Sequence, residues 1–296
     1  MPWCKKEDTT KAIITAKRNM QSSHHDVKMI QKLPEIAILF FIGKAIPYVL
    51  RTYECDELSA KFPRFLNPCP IYRFKNMEAC FLDGGRGAPQ AADTLETLAE
   101  LGVKTIISVG MIGAFHPAFH VGDILIPSHA LAEEGTSHHY YEDLIFAYPA
   151  HPLWEELKNL LPQAKSEPIV SCDTIYRQTL RKEEQWRRQG CVGVDMETSA
   201  IMSIGNYRHL QTAAILMVSD VHSHETEHCA WEWKVTDAMR EAFTRTCISC
   251  VQQTADTQSE VVPADMDITE PDIEETPEQK ANSLGELPSA FLLLFE

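Results

Sequence analysis

The chain lacks any apolar run near the ~18 residues that a membrane-crossing helix needs, so no membrane partner is expected. It has no apolar N-terminal segment ending in a small-residue cleavage site, so a secretory leader is not expected either. A framework of paired cysteines is also missing. Nine Cys, an odd number without regular spacing, fit a reduced, cytoplasmic protein. A basic overall balance is absent, although residues 1–33 are locally basic: the net charge is −15, and residues 254–296 hold eleven acidic residues against one basic one, Lys280. That balance argues against a nucleic-acid footprint. There is no internal repeat and no dinucleotide-binding fingerprint, because the Gly110–Gly113 pair lacks the third glycine and opens no helix.

What is present is an alternation of apolar β runs and helical segments. Pro34 to Ile42 (PEIAILFFI) reads as the first buried strand, followed by a turn at Gly43-Lys44-Ala45. Residues 51–70 read as irregular and Pro-punctuated, and Met77 to Leu82 as a strand. Gln90 to Leu101 reads as an amphipathic helix stopped by Gly102, and Lys104 to Val109 as a strand with Gly110 and Gly113 just beyond it. Further strands are expected at Phe119 to Ser128, Glu167 to Cys172 and Thr212 to Val218. Helices are expected at Pro152 to Leu161, Leu180 to Gln189, Thr198 to Gly205 and Trp231 to Val251. This order predicts an α/β fold, a single domain with a central mixed, mostly parallel sheet flanked by helices. Residues 1–33 read as an N-terminal extension, 34–252 as the domain and 253–296 as an acidic, disordered tail.

The most informative stretch is Gly193 to Asp220. Asp195-Met196-Glu197 precedes a small, apolar helix, and Ser219-Asp220 follows a strand buried on both faces. Ligands of open α/β sheets bind beyond the carboxyl ends of strands, so both clusters can meet in one pocket. The plainer alternative is that Asp195 and Glu197 favour a helix start and Asp220 caps the next helix. Two His-rich stretches, Glu133 to Tyr141 and His222 to Cys229, invite a metal reading, but neither spacing matches a common ligand set, so none is expected. The lone Cys247-x-x-Cys250 reads as a helix face rather than a redox site.

Four separated motifs now align. Val109-Gly110-Met111-Ile112-Gly113-Ala114 is followed by Val121-Gly122-Asp123-Ile124. Then come Glu134-Gly135-Thr136-Ser137-x-His139-Tyr140, Val194-Asp195-Met196-Glu197 and Val218-Ser219-Asp220. Together they resemble the nucleoside phosphorylase-I superfamily, from about Pro34 to Val251. That resemblance implies a three-layer α/β/α fold, a homo-oligomer, and cleavage of a nucleoside with inorganic phosphate as co-substrate and no cofactor. It also implies roles. Met196 and Glu197 would hold the ribose with Asp195 beside them, and Asp220, next to Ser219, would serve the purine N7 as general acid. Tyr176 would sit by the base, Gly110 would let substrate approach the backbone, and Gly43, Lys44 and Met111 would face phosphate. The short Tyr176-to-Asp195 segment is similar to the purine-type enzymes.

The departures bear on the nucleophile. Phosphorolytic members usually carry an Arg where Ser108 stands and Ser or Thr where Met111 stands. Hydrolytic members place a Glu near the first glycine turn, and none occurs from Gly43 to Leu50. Phosphorolysis, hydrolysis and nucleoside binding without catalysis therefore all remain open readings of the sequence. Lys44, Arg86, backbone N–H groups or a neighbouring subunit's Arg are the candidate anion holders.

Overall fold

The computed structural model describes residues 10–22, 32–222 and 233–260. Expectations that fall elsewhere, on parts of the N-terminal extension, on residues 224–229 and on the tail beyond 260, lie outside the described residues.

Strand β1 (Ile36–Phe40) shows why the chain folds in layers. Its side chains alternate: Ile36, Ile38 and Phe40 enter one core, and Ala37 and Leu39 the other. With both faces covered, the strand must be apolar throughout, which is what its sequence shows. Each Ile or Leu buried this way contributes ~1.5–3 kcal/mol. Parallel to β1 lie β4 (Ala79–Asp83) on one side and β5 (Thr105–Ala114) on the other. Beyond β5, again parallel, runs β11 (Gln211–Val221).

The sheet edges are antiparallel. β2 (Cys55–Ser59) and β3 (Ile71–Phe74) form a hairpin-like pair on the β4 edge. β6 (Ile124–Leu125) pairs with β11, and β10 (Gly193–Asp195) with the end of β5. β9 (Ile169–Ser171), β7 (Ala130–Ala132) and β8 (Phe146–Ala147) continue from β10. One face is covered by α2 (Ala45–Thr52), α4 (His151–Leu160) and α7 (Asp237–Glu260). The other is covered by α3 (Ala88–Glu100) and α6 (Thr198–Tyr207). The mixed sheet between two helical layers is the architecture that the sequence predicts. The short α1 (Ala16–Met20) lies against α3, and α5 (Leu180–Arg188) precedes β10.

Several boundaries differ from the sequence reading, for physical reasons. Residues 51–70 are not wholly irregular, since β2 occupies 55–59. The strand expected from Phe119 to Ser128 shrinks to Ile124–Leu125. The backbone before it turns instead, with Asp123 accepting from the His120 N–H at 3.0 Å and pairing with Lys165 at 2.6 Å. The glycines at 110 and 113 lie inside β5, which runs five residues past Val109, rather than beyond its end. β11 likewise carries Ser219 and Asp220 within the strand. α7 starts at Asp237, not Trp231, and runs to Glu260, so residues 253–260 of the expected tail are helical. Cys247 and Cys250 are both buried on α7, where burial pushes the Cys250 thiol up to about 11.

One feature of the register positions the site. β1 leaves β5 after Val109, and β10 joins the same edge only at Gly113. Between them the edge of β5 opens. Across β5, a bulge shifts β11 by one residue between Val218 and Asp220. Such an extra residue re-aims the side chains beside it.

Candidate active site

A cavity of about 660 Å³ occupies this opening. Its floor is Met111 and Gly113 of β5, and Asp220 and Ser219 of β11 stand on one wall. Val194 to Glu197, the end of β10 and the entry to α6, form another wall. Phe41 and Arg86 close the third side, and Ile175, Tyr176 and Trp233 rim the mouth. Among the residues singled out from sequence, Met111, Tyr176, Asp195, Met196, Glu197, Ser219 and Asp220 line this cavity. Gly43, Lys44 and Gly110 do not. Lys44 adopts φ 68°, and its ammonium pairs with Asp237 on α7 at 2.7 Å. Gly110 is packed between Leu216 and Phe41 inside the sheet.

The two carboxylates before α6 differ in what they do. Asp195 is spent on structure. One of its oxygens accepts from Ser171 Oγ at 2.5 Å, and the other from the Thr198 N–H at 3.1 Å and Thr198 Oγ1. It therefore ties β9 to the first turn of α6, satisfying a helix N–H as a capping side chain does. Burial raises its pKa, against these hydrogen bonds. Glu197 has one oxygen on the Gly87 N–H at 2.7 Å. Burial, and next the charge of Asp195, push its carboxyl up to about 7, opposed by the Gly87 N–H and by Arg86. A carboxylate held at the edge of ionisation, with one oxygen fixed to the backbone, can accept from a pair of hydroxyls.

Arg86 is the one Lys or Arg on the cavity wall among the described residues. Its turn, Gly84 to Gly87, has its backbone donors occupied: Gly84 by the Phe40 carbonyl, Gly85 by Asp83, Arg86 by Gln90 and Gly87 by Glu197. The turn cannot cradle an anion through its N–H groups, which leaves the guanidinium, whose Nη1 donates to the Gly85 carbonyl at 2.5 Å and lies 3.8 Å from Asp83 Oδ1. Buried Arg64 braces the turn, donating to the Asp83 carbonyl at 2.6 Å and to Thr94 Oγ1 at 3.0 Å. Ser108 takes no part, since its hydroxyl is buried against the Ala213 carbonyl.

On the opposite wall Asp220 lies over Gly113, where a Cβ would come within 3.2 Å of its Oδ2. Ser219 Oγ stands 2.5 Å from Asp220 Oδ1. His222 Nε2 stands 3.0 Å from Asp220 Oδ2, and His222 Nδ1 stands 2.7 Å from Glu183 Oε1. From sequence His222 reads as a metal ligand or as part of a loop near the pocket. The available signal is its position two residues after Asp220, just past the end of β11, where extended backbone places both side chains on one face. Glu183 carried no signal at all: α5 is rich in charge and reads as a solvated helix, yet Glu183 is 4% exposed. Among the described residues no group of His, Cys, Asp and Glu is arranged to hold a metal ion. No helix there is long and apolar enough to cross a membrane.

Comparison with known proteins agrees with this architecture. A family model described as the phosphorylase superfamily matches residues 36–252. A guanosine phosphorylase from Halorubrum lacusprofundi is 30% identical over 141 residues, covering 45% of this chain and 57% of that protein. The match thus spans little more than half of that relative. A DeoD-type purine nucleoside phosphorylase from Clostridium novyi is 30% identical over 186 residues, covering 56% of this chain and 79% of that protein. A uridine phosphorylase from Haemophilus influenzae is also 30% identical, over 141 residues, covering 40% of this chain and 55% of that protein. Among solved structures, purine nucleoside phosphorylase from Toxoplasma gondii in complex with immucillin-H superposes with a TM-score of 0.65 at 18% identity. That superposition covers 77% of this chain and 92% of the other, and it speaks to the fold alone.

Proposed function

This chain belongs to the phosphorylase superfamily, and from that premise we propose that it cleaves the N-glycosidic bond of a purine nucleoside by phosphorolysis. The observation that carries the proposal is the shared cavity, with the Glu197 and Asp220 carboxylates and the Arg86 guanidinium on its walls. Purine and uridine phosphorylases both occur among the relatives. The purine preference rests on the short segment between Tyr176 and Asp195.

Breaking the bond from C1′ to N9 leaves positive charge on the ribosyl ring and an electron pair on the base. Glu197 accepts from the ribose 2′- and 3′-hydroxyls, fixes the sugar and favours the growing cation. Met196 lies under the ribose. Asp220, oriented by Ser219, supplies a proton to N7 as the base departs, a contribution of order 10²–10⁴-fold. Phosphate, held against Arg86 and Met111, forms the new C1′–O bond. The products are free base and ribose 1-phosphate, and no cofactor enters. A second subunit over the exposed Ile175 and Tyr176 at the mouth completes the proposal as a homo-oligomer.

A second reading has its own observation. Ser108 is sealed inside the sheet and Lys44 is paired with Asp237, so among the described residues Arg86 is the one Lys or Arg facing the cavity. That weak anion site favours water as the nucleophile, in a hydrolytic nucleosidase using the same Glu197 and Asp220. The test is to incubate the protein with a panel of purine and pyrimidine nucleosides, with and without phosphate, and to follow free base. Phosphate-dependent release from purine nucleosides, absent in Asp220→Asn, is the expected result. Phosphate-independent release supports hydrolysis, and binding without release indicates a non-catalytic protein.

A further inference from the structure

His222 is held between two acidic side chains that come from different elements. Just past the end of β11, Nε2 faces Asp220 Oδ2 on that strand at 3.0 Å, and Nδ1 faces Glu183 Oε1 on α5 at 2.7 Å. Both are hydrogen-bond distances, and the contact to Glu183 has the length of a charge-assisted bond. The set is anchored further out. Arg187 donates to the second Glu183 oxygen at 2.9 Å, and the Gln178 amide donates to Oε1 at 2.8 Å. His222 is fixed from its backbone as well, its N–H bonding the Ala114 carbonyl at 2.8 Å. Asp220, Glu183, His222 and Gln178 all line the cavity. Such a chain of fixed groups, lining the cavity at one end and tied to an arginine at the other, exceeds what packing one strand end requires.

We propose that Glu183–His222–Asp220 is a proton relay in which His222 is the positioning residue that recharges Asp220, the acid that serves the departing base. The inference rests on the reading of Asp220 given above and adds the source of its proton. In the resting site His222 carries both ring protons, Nδ1–H donating to Glu183 and Nε2–H to Asp220, while both carboxyls are ionised. As the glycosidic bond lengthens, the Nε2 proton passes to Asp220, which delivers one proton to the base. His222 is left neutral, with Nδ1–H still on Glu183, and takes one proton back from water before the next turnover. One proton enters and one leaves, and no other reactant is needed.

The charged groups facing the ring set the direction. Burial works against an imidazolium here, but the hydrogen bonds and charges of Asp220 and Glu183 outweigh it and push the His222 pKa up to about 9. Glu183 in turn is held below its usual range by His222, Gln178 and Arg187, despite its burial. The ring is therefore charged at neutral pH, as a proton donor must be, and Glu183 stays ionised to keep it so.

The test compares wild type, Glu183→Gln and His222→Gln on one cleaved purine nucleoside across pH, with an NMR titration of the His222 ring in wild type and Glu183→Gln. The wild-type kcat is expected to fall on the alkaline side near pH 9, in step with the ring titration. Glu183→Gln should lower kcat roughly 10- to 100-fold with KM within a few-fold, and move both the alkaline limb and the ring titration down by about one pH unit or more. His222→Gln, which retains an N–H toward Asp220 but no transferable proton, should lose the limb altogether. An active wild type whose limb and ring titration do not move in Glu183→Gln overturns the relay and leaves the activity standing. A wild type that cleaves no nucleoside overturns both. The ring titration also covers the case in which a substituted chain folds poorly, since a wild-type ring titrating near the ordinary His value contradicts the relay by itself.

Discussion

Glu197 Oε1 accepts the Gly87 N–H at 2.7 Å, joining two segments 110 residues apart in the chain. The bond pins one oxygen of a carboxylate to the turn that carries Arg86, and so sets the distance between the proposed sugar-holding group and the proposed anion-holding group. It also separates structure from chemistry in a single side chain.

Glu197→Gln should leave the fold nearly unchanged, because a glutamine carbonyl oxygen can take the same N–H. The unfolding midpoint in urea is expected to correspond to a loss under ~1 kcal/mol. Turnover is expected to fall by at least ~10²-fold, since the neutral amide no longer favours a cationic ribosyl ring. A Glu197→Gln protein with wild-type turnover contradicts the ribose role.

Asp195 carries the opposite expectation. Its carboxylate satisfies the Ser171 and Thr198 hydroxyls and the Thr198 N–H, all buried. Asp195→Ala strands those donors and should cost roughly 2–3 kcal/mol in equilibrium unfolding. Asp195→Asn, which keeps an acceptor, should cost less than half as much. Equal effects from the two changes would show that the cap does not depend on the oxygen.

Gly113 leaves room for Asp220. A Cβ at Gly113 would stand 3.2 Å from Asp220 Oδ2. Gly113→Ala should therefore displace the proposed acid by a few tenths of an ångström and cut kcat at least ~10-fold, with KM little changed. Steady-state kinetics check this, and an unaffected kcat places the reacting base away from Asp220.

Stability should depend on pH through His222 and Glu197 in adjacent windows. The folded His222 pKa, about 9, exceeds the ordinary 6.5, so its contribution is complete below pH 6.5 and is lost as pH rises through about 9. The folded Glu197 pKa, about 7, exceeds 4.5, so burying it costs nothing below pH 4.5 and weighs against folding as pH rises to about 7. Urea unfolding from pH 6.5 to 9.5 should show wild type losing ~1–3 kcal/mol, allowing for the partial exposure of the ring, and His222→Gln losing distinctly less. Parallel curves for the two proteins contradict this assignment.

The centre of the fold was legible because β1, β5 and β11 are buried on both faces, and only continuous apolar runs survive there. β2, with the sequence CDELS, was not, since its side chains are only half-buried and its pairing with β3 is decided by tertiary contact. β7, β8 and β10 are two or three residues long, too short for a period to show. In the site, Asp195, Glu197 and Asp220 could be seen from sequence to flank one helix-and-strand unit, and a helix-start role was the alternative for both Asp195 and Glu197; the sequence could not tell that Asp195 takes it while Glu197 bonds the Gly87 N–H. Lys44 looked available for an anion because its partner, Asp237, lies 193 residues away. Glu183 was invisible for the converse reason: nothing local tells a charged helix residue that it will be covered.

The central claim, phosphorolysis in this cavity, is tested most directly by ³¹P NMR of the wild-type protein with a purine nucleoside and inorganic phosphate. The account predicts that a ribose 1-phosphate signal grows in equal amount to the free base, and that base release stops when phosphate is omitted. Base released at the same rate without phosphate, alongside free ribose, would contradict it.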